Sequence, residues 1–80
     1  MMKIYSIKDV KIGFMNPFYQ NSNDVAKRSF KNAVTDKRGN LWTIKEDLEL
    51  WELGSFDETT GILTPETPEY LMGGKDVSLE

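Results

Sequence analysis

The chain opens with strand-forming residues, shifts to a helical period near residue 23, and turns back to alternation after residue 47. Met2, Ile4, Tyr5 and Ile7 make residues 2–8 a predicted strand. A polar turn near Asp9 leads to Lys11-Ile12-Gly13-Phe14-Met15, which completes a hairpin. Asn16-Pro17 ends that hairpin, because proline has no N–H to give a ladder. Asn21-Ser22-Asn23-Asp24 is a run of capping residues, with Ser22 or Asn23 best placed as the cap. From about residue 23 to 35, Ala26, Ser29, Phe30, Ala33 and Val34 recur at helical spacing and form one stripe. Gly39-Asn40 stops the helix, and a loop carrying Leu41, Trp42 and Ile44 follows.

Leu48-Glu49-Leu50-Trp51-Glu52-Leu53 suits a helix or a strand. As a strand, it places Leu48, Leu50 and Glu52 on one face and Glu49, Trp51 and Leu53 on the other. The turn-rich segment 57–61 and the apolar pair Ile62-Leu63 make a second hairpin the better reading, with a strand over 48–56. Pro65 and Pro68 are read as ending regular structure. Residues 65–80 are then an extended or disordered acidic tail, with Tyr70-Leu71-Met72 as an apolar island and Leu79-Glu80 as a vector-derived scar.

The expected fold is α+β, in the order ββαββ, with a single domain over residues 1–64. One helix packs on one face of a four-stranded antiparallel sheet. Nothing covers the other face, and both long strands carry apolar residues on each side. An exposed apolar surface follows, and a symmetric homodimer is the expected way to bury it.

Charge changes the picture more than composition does. Through residue 45, nine Lys or Arg face three Asp, a net of +6; after it, one Lys faces ten acids, a net of −9. The overall charge of −3 hides this division. A basic section in an acidic chain points to a polyanion-facing surface or to head-to-tail self-association. No apolar run is long enough to span a membrane, and the N-terminus does not read as a signal peptide, so the cytosol is the expected compartment. Without cysteine there is no disulfide framework and no thiolate metal site.

Histidine is absent too, which removes the usual general base near neutral pH. Gly73-Gly74-Lys75 lacks the spacing of a phosphate-binding loop. Glu46, Asp47, Glu49, Asp57 and Glu58 lack calcium-loop spacing and read as a solvated acidic face. No catalytic constellation is present, so no enzyme, cofactor or metal is expected.

Lys27, Arg28 and Lys31 fall on consecutive helical turns, and Lys37 and Arg38 extend them past the helix end. Lys3, Lys8 and Lys11 flank the first hairpin. Phosphates call for such cations, and single strands also need rings for base stacking. Tyr5 and Phe14 are the rings chosen here, with Phe18, Tyr19 and Trp42 as further platforms. The competing reading makes the lysines ordinary solubilising charges and the rings core, as it does for Phe30 and Trp51.

Several of these segments form a larger pattern: Met2-Lys3-Ile4-Tyr5-Ser6-Ile7, Gly13-Phe14, Pro17-Phe18, Phe30-Lys31-Asn32-Ala33-Val34, and Leu53-Gly54-Ser55-Phe56-Asp57-Glu58-Thr59-Thr60-Gly61-Ile62-Leu63. Over residues 2–65 the chain resembles the small non-structural protein of the gokushovirus group of microviruses, phages with circular single-stranded DNA. The resemblance implies a non-enzymatic DNA-binding protein acting in the switch to single-stranded genome synthesis. It implies no particular DNA-contacting residues. The site expected from charge and aromaticity is therefore Lys3, Lys11, Lys27, Arg28, Lys31, Lys37 and Arg38, with Tyr5 and Phe14 as stacking surfaces. The alternative is a module that binds a phage or host replication or regulatory protein.

Overall fold

In the computed structural model, which describes residues 1–78, the opening alternation forms β1 (Met2–Asp9). Leu79 and Glu80, the supposed scar, lie outside the described residues. Asp9 makes the turn: its Oδ1 accepts from the Lys11 N–H at 2.9 Å, and its carbonyl accepts from Ile12 at 3.0 Å. The short β2 (Gly13–Phe14) returns with Phe14 opposite Lys8. Pro17 interrupts the return, and pairing with β1 resumes in β3 (Phe18–Gln20), with Tyr19 opposite Ile4. β2 and β3 are thus two pieces of one broken strand along the same edge of β1.

The helix α1 spans Asn23–Thr35, where the stripe and cap place it. The Ser22 hydroxyl accepts from the Val25 N–H at 3.3 Å, satisfying one free donor of the first turn. Ala26, Phe30 and Val34 are buried against the sheet. A 3-10 segment, Leu41–Asp47, then leads into β4 (Leu48–Phe56), which pairs antiparallel with β1. Leu48 and Leu50 are fully buried, so the alternation read from sequence points the right way.

The supposed tail is a correction. β5 runs for 11 residues, Leu63–Gly73, and pairs antiparallel with β4, so the acidic segment is extended but neither disordered nor separate. Pro65 and Pro68 do not end the strand, because β5 is an edge strand with its outer side free of ladder bonds. The register slips between Glu52 and Gly54, where β5 takes extra residues around Pro68. Gly54 sits against the β5 backbone there: a Cβ would collide with the Thr64 carbonyl oxygen and lie 3.1 Å from Pro65 Cα.

Past β5, a 3-10 turn (Gly74–Asp76) returns Val77 to the core. Lys45 holds it there. Its ammonium is buried and donates to the carbonyls of Gly74 at 2.8 Å and Val77 at 2.6 Å. Lys45 therefore leaves the basic surface counted from sequence. A charged side chain accepts burial when backbone oxygens complete its hydrogen bonds.

The completed architecture is α+β: one main helix on one face of a five-stranded antiparallel sheet, ordered β2-β1-β4-β5 with β3 also on β1. It has one strand more than expected, because Pro17 divides the second. Tyr5, Ala26, Phe30, Val34, Leu48, Leu50 and Val77 form the core between sheet and helix. Among the described residues, no helix covers the opposite face.

Candidate nucleic-acid interface

The basic residues differ sharply in what already holds them. Lys3 pairs with Glu52 at 3.4 Å, and Lys11 pairs with Asp47 at 3.4 Å. Arg38 grips Asp36 with two nitrogens, Nε at 3.1 Å and Nη2 at 3.2 Å, and with its backbone N–H at 2.9 Å. Those bonds hold the Asp36 carboxyl below its usual range and raise the guanidinium above its own. Lys37 sits over the Trp42 ring, 5.8 Å from its centroid. Lys27, Arg28 and Lys31 have no carboxylate partner among the described residues. Arg28 and Lys31 are exposed and Lys27 is half-buried. Lys31 follows Arg28 by three residues and Lys27 by four, which sets it beside both on the helix surface.

Tyr5 is not a stacking surface. It is fully buried, stacks on Phe18 at 5.9 Å, and donates its hydroxyl to Asn23 Oδ1 at 2.6 Å. Burial, helped by the charge of Glu52, pushes its hydroxyl up to about 12. Lys3, Tyr5 and Ile7 share one parity of β1, and Tyr5 is packed among the helix-side core. That parity decides the matter.

Phe14 lies on the other face and is 47% exposed. It meets Trp51 edge-on at 5.9 Å, and Trp51 meets Tyr70 edge-on at 5.7 Å. The ammonium of Lys8 stands 5.4 Å from the Phe14 centroid and 5.3 Å from that of Trp51. The register explains the grouping: Lys8 is opposite both Phe14 and Glu49, and Trp51 is opposite Tyr70. Glu49 accepts from the indole N–H of Trp51 at 3.0 Å. The Tyr70 hydroxyl is held above its usual range by burial, with Asp76 and Glu49 adding to it. Further along the same face, Tyr19 packs on Phe56 at 5.5 Å.

The sheet therefore separates the two groups expected to act together. Lys27, Arg28 and Lys31 line the helix, and the exposed rings line the uncovered face together with Lys8. Sequence reading missed three members of the second group. The site expected from charge and aromaticity lacks Lys8, and the sequence pattern puts Trp51 in the core and Tyr70 in a tail. For Trp51 the signal is the strand parity opposite to Leu48 and Leu50; Lys8 and Tyr70 join it through the pairing of β1 and β5 with β4.

A family model described as Phage ORF5 protein matches residues 2–77. The chain belongs to that family. Its bacteriophage origin follows from the match, which extends through β5 to Val77 and so takes in the segment read as a tail. No curated protein and no solved structure matches the chain.

Proposed function

We propose that this phage ORF5-family protein is a non-enzymatic DNA-binding protein of the gokushovirus group of microviruses. It acts in host cytoplasm, in the switch from duplex to single-stranded genome synthesis, and prefers single strands. The observation that carries the reading is the trio Lys27, Arg28 and Lys31, gathered on one helix with no carboxylate partner among the described residues, whereas Lys3, Lys11 and Arg38 are each held in an ion pair. Lys37 extends the trio past the helix end. The ion pairs of Lys3, Lys11 and Arg38 lie at the surface, where water and salt weaken such pairs. Phosphates can therefore compete for those cations at little cost.

Affinity for single-stranded and duplex oligonucleotides, measured at several salt concentrations, tests this. Three phosphate contacts on a single strand give a slope of log affinity against log salt near about −2. Lys27→Glu with Lys31→Glu is expected to weaken binding by roughly tenfold or more at low salt. Unchanged affinity in a variant that melts normally would take the helix out of the interface.

A second reading rests on the uncovered aromatic face, which suits a protein partner: a second copy or a phage or host replication protein. It predicts capture of that partner after nuclease treatment, and loss of capture with the DNA would count against it.

A further inference from the structure

We infer that the uncovered sheet face is a base-stacking platform for a single-stranded polynucleotide, built from Phe14, Trp51 and Tyr70 with Lys8 as its phosphate contact. This inference rests on the DNA-binding reading and adds a second surface to it. The three rings come from three different strands, β2, β4 and β5, so they form a row across the sheet. Their centroids are 5.9 and 5.7 Å apart. A polynucleotide crossing the strands brings successive bases to successive rings. Stacking needs rings held in place and partly open. Phe14 and Tyr70 are 47% and 44% exposed, and each is braced edge-on by Trp51. RNA-recognition modules divide their sheets in this way, with helices behind and aromatic side chains in front. That likeness is one of geometry alone.

Charge selects the occupant. Lys8 stands over Phe14 and Trp51 and has no carboxylate partner among the described residues. The nearest acid in register, Glu49, is engaged by the Trp51 indole. An apolar protein surface closing over this face would bury the Lys8 ammonium with no carboxylate in ion-pair contact among the described residues, which is costly. A phosphate supplies the anion. Glu49 and Asp76 lie near Tyr70, so the backbone follows the Lys8–Phe14 side and the base alone meets Tyr70.

The test uses the full chain carrying Trp42→Phe, which leaves Trp51 as the single indole. Oligo-dT, oligo-rU and a duplex of equal length are titrated while Trp51 emission is followed. Quenching by either single strand is expected, and the tighter of the two identifies the sugar preferred. Phe14→Leu and Tyr70→Leu are each expected to loosen single-strand binding about 5- to 100-fold. Lys8→Gln should reduce the salt slope by about 0.7. Lys27→Glu with Lys31→Glu weakens affinity yet leaves the quenching at saturation intact. Oligonucleotide binding with silent Trp51 emission, or quenching by duplex alone, would overturn the platform while leaving the helix reading standing. No binding of any oligonucleotide would overturn both. Light scattering separates the remaining case: ring variants that split a dimer without changing DNA affinity would make the face a contact between copies and sink the platform.

Discussion

The two faces of one sheet use similar side chains for different ends. On the helix side, Tyr5, Leu48 and Leu50 are wholly buried, and the Tyr5 hydroxyl is matched by Asn23. On the open side, Phe14, Tyr19 and Tyr70 are each close to half exposed and pack on other rings. Aromatic content alone does not separate these roles. A tyrosine on one parity of β1 is core, and a tyrosine on the outer strand is surface. Stability is concentrated on the covered side, where a cavity cannot be refilled by water at low cost. The open side contributes ring-on-ring contacts worth about 0.5–1.5 kcal/mol per pair.

The largest effect should come from the covered side. Phe30→Ala is expected to cost about 3–5 kcal/mol, much of the stability of a domain this small. Urea denaturation checks it, with Trp51→Leu as the counterpart on the open side at under about 2 kcal/mol. Equal losses would erase the contrast between faces. Alkaline pH probes the same side without mutation. The Tyr5 hydroxyl is raised to about 12 in the folded protein, so folding favours its neutral form. Its contribution is complete below about pH 10, the unfolded value, and is lost as pH climbs towards 12. The loss amounts to roughly 3 kcal/mol, and Tyr5→Phe should flatten it in a pH series of melts.

Lys45→Met comes next, at about 1–3 kcal/mol, because two inward carbonyls lose their donor. Hydrogen exchange should then quicken at the Val77 N–H, which donates to Gly74 at 3.0 Å. Unchanged protection would mean that the ammonium does not hold this segment. The smallest effect on folding belongs to Phe14→Leu and Tyr70→Leu, within about 1 kcal/mol each. Their larger consequence should appear in oligonucleotide affinity.

Much of the fold was legible because its signals are local. The helix stripe, the Ser22 cap and the Asp57–Gly61 turn each lie within a few residues, and all three sit where the pattern puts them. What escaped depends on distant partners. Whether Pro65 and Pro68 interrupt β5 depends on the strand being at an edge, which no local window reports. Whether Lys45 is surface or core depends on carbonyls about 30 residues later. The cations of the candidate site were legible on the helix. The rings were not, because the burial of Tyr5 depends on which face of β1 the helix covers. Trp51 was treated as core although its parity opposed that of Leu50.

Pro65 and Pro68 have a consequence beyond their own strand. A sheet grows by offering amide hydrogens to an incoming chain, and an outer border carrying proline has gaps in that offer. The fold thus presents long, apolar-rich strands while denying a neighbour the continuous template that starts fibrils. Replacing both prolines with threonine would restore the missing donors, and seeded fibre growth monitored by dye fluorescence would reveal how much protection they give.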